Sequence, residues 1–214
     1  LMVEPQAHGA RLLGLWQQIA EHFADRADSL WFETLNEPFG ALQGAYLLKL
    51  QQAIVTTIRS SNPERLVIVM GEEWSSIRSL ATNIPPPDPN IVYSFHYYDP
   101  FDFTHQQATW LGDATPKGTR GWGRRADRQA LARDARIAER FVEQVGHPVF
   151  LGEFGVNDPV TSEDRVRYLG AVAKAFGDRG VAWCVWSYAN TFALYSDEGG
   201  WDEAALEALG MAAR

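Results

Sequence analysis

The feature that most constrains the fold is an alternation repeated five times. Short, near-continuous apolar runs occupy 30–35, 66–70, 91–95, 148–152 and 181–186. Such runs suit strands buried on both faces. Between them lie segments with a helical period. In 11–25, Leu12, Trp16, Ile19 and Phe23 fall on one face; in 43–59, Leu47, Leu50, Ile54 and Ile58 do. In 126–145 the inward row is Leu131, Ala135, Ala138, Phe141 and Val145. A helix over 162–177 opens with the capping-box sequence Thr161-Ser162-Glu163-Asp164. Shorter helices are predicted over 75–81 and 203–209. Asn62-Pro63 and Pro85-Pro86-Pro87-Asp88-Pro89 act as breakers, and 97–125 reads as a long loop.

Buried strands alternating with amphipathic helices imply an α/β fold with a parallel sheet covered by helices. A doubly wound nucleotide-binding sheet is one solution, but the chain contains neither Gly-x-Gly-x-x-Gly nor a P-loop sequence. Its polar residues cluster just after the strands. That is the layout of a (β/α)8 TIM barrel, whose active site lies at the carboxyl ends of the strands. The reading is a partial barrel of five parallel strands with flanking helices, forming one domain over 1–214.

Two acids follow strands directly: Glu37 in Asn36-Glu37-Pro38 and Glu153 in Gly152-Glu153-Phe154-Gly155. Two facing carboxyl groups can hydrolyse a glycosidic bond, and at roughly 5–5.5 Å separation the reaction retains configuration. His96 and Tyr98 share one side of the extended segment after the third strand. The 8 Trp, 7 Tyr and 11 Phe often neighbour polar or glycine-rich loop residues, an arrangement that suits stacking on sugar rings. The histidines form no zinc signature, so no metal and no cofactor are implied. The charge of −8 argues against a nucleic-acid partner. No run approaches the roughly 18 apolar residues of a membrane helix, so no membrane partner is implied. No signal peptide is visible in the polar opening residues. The one cysteine, Cys184, lies in an apolar run and is expected to be buried.

The stretch LLGLWQQIAEHFADRADSLWFETLNEPFG resembles the third helix and fourth strand of glycoside hydrolase family 5, the cellulase family of (β/α)8 barrels. VYSFHYYDPFDFTHQ and PVFLGEFG resemble its sixth- and seventh-strand motifs, and WCVWSY its eighth. The resemblance implies a retaining endo-β-1,4-glucanase acting on β-glucan, with mannanase or xyloglucanase as the alternative within the family. It implies Glu37 as general acid/base, Glu153 as nucleophile and Asn36 on the sugar 2-hydroxyl. Tyr98 positions the nucleophile, His96 lies near the acid/base and Trp186 is a stacking platform. His105, Trp110 and Trp122 match loop positions near the cleft. A secreted or periplasmic bacterial location also follows from the resemblance. The family's first three strand–helix units find no counterpart here, so an inactive fragment that binds carbohydrate is a further alternative. Without those units the apolar edge runs 30–35 and 181–186 are unprotected, and self-association as a dimer or higher homo-oligomer is expected.

Overall fold

The computed structural model describes residues 1–81 and 88–211. Its main sheet holds five parallel strands in chain order: β1 (Phe32–Glu33), β2 (Val67–Met70), β3 (Ile91–His96), β4 (Val149–Glu153) and β5 (Ala182–Trp183). β1 aligns Phe32 with Val67, and β2 aligns Val67 with Ile91 and Met70 with Ser94. Sequential order with parallel pairing puts every carboxyl end on the same edge of the sheet. The chain groups into two compact units, 1–95 with 140–150, and 96–139 with 151–214.

In the first unit, α1 (Pro5–His22) packs on α2 (Gly44–Arg59). Its buried row is Pro5, Gly9, Trp16 and Ala20, not the expected Leu12, Trp16, Ile19 and Phe23. Ile19 is exposed, while Leu12 and Phe23 are half-buried. The reason is a close approach. Tyr46 Oη donates to the Pro5 carbonyl, and a Cβ on Gly9 would meet that hydroxyl at 2.7 Å. Gly9 therefore faces α2, Trp16 stays buried, and Leu12, Ile19 and Phe23 turn outward.

The turn between α1 and β1 is held by buried Arg65. Its guanidinium donates to the carbonyls of Phe23, Arg26, Ala27 and Leu30 and to Asn62 Oδ1, and it lies over the Phe32 ring at 4.9 Å. Buried carbonyls left over at a helix end need such donors. Gln51 does the same for β2, with its amide bonded to both the N–H and the carbonyl of Met70.

The predicted helix over 75–81 is instead a short turn, α3 (Glu72–Ser75), followed by a 3-10 helix over Ile77–Ala81. Extended backbone at Ser76 (ψ 150°) separates the two. In the breaker at 85–89, residues 85–87 lie outside the described residues.

In the second unit, the expected loop over 97–125 carries α4 (Phe101–Thr104) and a 3-10 helix over Thr109–Ala114, before α5 (Arg125–Val145) begins. Here α6 (Ser162–Gly177) packs on β5 and on α7 (Glu203–Ala208). Thr161 caps α6 by accepting from the Asp164 N–H.

The strand predicted over 181–186 is regular only at Ala182–Trp183. Ala182, Cys184 and Trp186 alternate on its exposed side, so the expected buried thiol is on the surface. An antiparallel hairpin, β6 (Tyr195–Ser196) with β7 (Gly200–Trp201), follows and was not expected. No described helix is long and apolar enough to cross a membrane.

Candidate active site

In the first unit, the chain leaves β1 through Asn36, Glu37 and Pro38. Glu37 has φ 45°, a left-handed conformation that is costly for a residue with a Cβ. Asn36 is exposed and Glu37 half-buried. The next loop of the unit, after β2, is also left-handed at Glu73, Trp74 and Ser75 (φ 54°, 55° and 54°). The two loops are tied together. The Trp74 N–H donates to the Pro38 carbonyl at 3.0 Å, and the Trp74 ring stacks on Phe39 with centroids 5.1 Å apart and planes 8° from parallel. Glu72 fastens the loop further by accepting from the Gly44 N–H at 2.7 Å. Both aromatic rings are exposed. Sequence reasoning missed this pair, because nothing in Glu72-Glu73-Trp74-Ser75 signals three left-handed residues in a row.

In the second unit the acid is held by side chains. His96 ends β3 and Glu153 ends β4, and the Tyr97 N–H donates to the Glu153 carbonyl at 2.9 Å. Tyr98 Oη donates to Glu153 Oε2 at 2.8 Å, and His96 Nδ1 lies 3.4 Å from the same oxygen. His96 is buried. A hydroxyl donating to a carboxylate fixes its orientation.

Tyr98 is itself braced. Thr104 Oγ1 donates to the Tyr98 carbonyl at 2.7 Å and sits 3.0 Å from His105 Nδ1. The Thr104 proton is committed to that carbonyl, so His105 carries its own proton on Nδ1 and donates back. The His105 ring stacks on Phe101 at 4.1 Å and meets Tyr98 and Phe192 edge-on. Trp110 is exposed and tilts against Phe192 at 6.1 Å.

Trp186 follows β5 with its ring 41% exposed, and its N–H donates to the Phe154 carbonyl at 2.8 Å. A Cβ on Gly155 would collide with the Trp186 carbonyl, which explains the second glycine of Gly152-Glu153-Phe154-Gly155.

Trp122 behaves otherwise. It is 4% exposed, edge-on to buried Tyr168, with its carbonyl bonded to Arg167 and its N–H to Asp164. It packs as core and offers no open face to a sugar, which corrects its assignment to a cleft.

The family described as Cellulase (glycosyl hydrolase family 5) matches residues 6–191. Endoglucanase H of Acetivibrio thermocellus is 33% identical over 91% of this chain. Endoglucanase 3 of Fibrobacter succinogenes is 27% identical over 93%. The chain spans 21% and 35% of the lengths of these two relatives. Among solved structures, Thermotoga maritima Cel5A in complex with cellobiose is 31% identical with a TM-score of 0.94, over 98% of this chain and 68% of that one. The same protein has been solved with mannotriose, at 32% identity and a TM-score of 0.92. The five strand–helix units are thus part of a (β/α)8 barrel, and the chain belongs to the cellulase family, glycosyl hydrolase family 5.

Proposed function

We propose that the chain is the catalytic domain, over 1–214, of a retaining endo-β-1,4-glucanase. The observation that carries this reading is the Tyr98–Glu153 hydrogen bond at the carboxyl end of β4, which orients a carboxylate as a nucleophile requires.

Glu153 attacks the anomeric carbon while Glu37 gives its proton to the leaving glycosidic oxygen. A glycosyl ester on Glu153 results, and the leaving chain departs as an alcohol. Glu37, now ionised, takes a proton from water as the water attacks the same carbon. The ester bond breaks, Glu153 is regenerated, and the sugar keeps its configuration.

Asn36 serves the sugar 2-hydroxyl, Trp186 offers a stacking face, and His96, His105 and Trp110 complete the cleft. The Phe39–Trp74 pair beside the acid-bearing loop suits the leaving-group side. The substrate is β-glucan. Mannan is the second reading, favoured by the mannotriose complex of Thermotoga maritima Cel5A. By itself the 214-residue chain is expected to self-associate through the end strands of its sheet, β1 and β5. Light scattering giving a monomer near 24 kDa would remove that expectation.

The deciding experiment is turnover of an aryl β-cellobioside and of a glucan, mannan and xyloglucan panel, with the first-formed anomer read by NMR. A β-configured first product on glucan supports the reading. An α-configured product, or no turnover on any of the panel, overturns it.

A further inference from the structure

Outside the residues assigned to the cleft, the second unit displays an aromatic cluster that the proposed mechanism does not use. Tyr188, 60% exposed, lies flat on Tyr195, with centroids 5.2 Å apart and planes 10° from parallel. Trp201, 47% exposed, meets both rings edge-on, at 67° to Tyr188 and 69° to Tyr195.

The rings are fixed in place. Tyr195 and Trp201 are register partners across β6 and β7, and the Tyr195 N–H donates to the Tyr188 carbonyl at 3.0 Å. Arg165 of α6 anchors the start of the hairpin by donating to the carbonyls of Phe192 and Ala193 and to Asp158. Tyr188 thus has one face backed by a ring and the other open, on a support that costs little to order.

We propose that Tyr188, backed by Tyr195 and braced by Trp201, is an additional binding platform for the polysaccharide, beyond the residues assigned to the cleft. Its ligand is a sugar ring of the same β-1,4-linked chain. The choice of sugar rests on two observations. A hexopyranose presents a flat C–H face to an aromatic ring while its hydroxyls remain in water, which matches a ring exposed on one face. Tyr188 also follows Trp186 closely along the chain, with only Ser187 between them. On this proposal a chain stacked on Trp186 extends to Tyr188, whereas a disaccharide occupying the cleft alone has no ring to place there. The inference rests on the proposed function for the identity of the sugar.

The test uses Tyr188→Ala and Tyr188→Phe in the full chain. Affinity is measured by calorimetry for cellohexaose, mannohexaose and cellobiose, and turnover is measured separately on an aryl β-cellobioside. Tyr188→Ala is expected to weaken hexasaccharide binding by about fivefold, the loss of one ring contact. Cellobiose affinity and aryl cellobioside turnover should stay unchanged. Tyr188→Phe should bind as the parent does, because the face and not the hydroxyl makes the contact.

Unchanged hexasaccharide affinity in Tyr188→Ala overturns the platform even if the parent is a working glucanase. Parallel losses on cellobiose and hexasaccharide also overturn it, since the ring would then only support the cleft. A parent that binds hexasaccharide through Tyr188 but turns over nothing preserves the platform and removes the proposed activity. A parent that binds neither hexasaccharide removes both.

Discussion

The two acid-bearing regions are built by opposite means. Around Glu153 the backbone is regular strand up to the acid, and the carboxylate is set by side chains: Tyr98 Oη on Oε2, His96 beside the same oxygen, and Thr104 bracing Tyr98. Around Glu37 the described features are left-handed backbone and a main-chain tie between two loops. Glu37 is left-handed, as are Glu73, Trp74 and Ser75, and the two loops are joined through a main-chain bond from Trp74 to Pro38. The nucleophile role proposed for Glu153 needs one orientation, which charge-assisted bonds secure. In one region side-chain bonds orient the carboxylate; in the other a main-chain bond ties the peptide beside it.

Removing either carboxylate is the most severe challenge to this comparison. Glu153→Gln and Glu37→Gln should each lower turnover by at least about 10³-fold with the fold intact, because an amide neither attacks nor exchanges protons. The two should differ in rescue. Azide should restore activity to Glu153→Gly by occupying the vacated position as a nucleophile, giving a glycosyl azide. Near-full activity of either Gln variant would remove that residue from the mechanism.

A smaller loss should follow from taking away only the orienting bond. Tyr98→Phe keeps the ring against His105 and deletes the donor to Glu153. A hydrogen bond to a charged group is worth about 1.5–3 kcal/mol, so kcat should fall by about 10- to 100-fold with KM little changed. If KM rises instead and kcat holds, Tyr98 binds sugar and does not position the nucleophile.

Trp186 comes next in size. Its exposed ring should contribute about 1–3 kcal/mol to oligosaccharide binding, taking base–aromatic stacking as the analogue, and Trp186→Ala should weaken binding accordingly. Unchanged affinity together with a large drop in Tm would mark the ring as a packing residue.

The contrast also explains what the sequence discloses. β3 and β4 are legible because apolar residues dominate Ile91–Phe95 and Val149–Leu151, so His96 and Glu153 could be placed at strand ends, and Tyr98 just beyond one, from the sequence. The Phe39–Trp74 pair was not legible. Left-handed backbone usually shows itself by glycine, and here glutamate, tryptophan and serine adopt it. On α1 the period was correct, but the face was shifted by the close Gly9–Tyr46 approach, a tertiary contact that periodicity does not encode. From the sequence, Trp122 is placed near the cleft because its loop position resembles the family's. Its neighbours Asp164 and Arg167 come from α6, more than 40 residues on, and they draw the ring into the core. The β6–β7 hairpin did have a signal, the Gly199-Gly200 pair between aromatic residues, with Gly200 at φ 72°.

The smallest effect tests the claim that the Glu37 region is built on strained backbone. Glu73 is exposed, and its side chain can be removed without opening the core. At φ 54° its Cβ costs about 1–2 kcal/mol, while glycine adopts this conformation freely and loses more entropy on folding. The balance predicts that Glu73→Gly stabilises the chain by about 0.5–1 kcal/mol, a rise in Tm of about 2 °C for a chain of this size. The matched control is Gln129→Gly, an exposed position inside α5 with ordinary helical backbone, which should instead cost about 1 kcal/mol. Opposite signs at the two sites would show that the loop after β2 stores strain to present Trp74. A loss at both would mean that the left-handed turn carries no strain, and the backbone-built description of the Glu37 region would fail while the hydrogen-bonded setting of Glu153 stood.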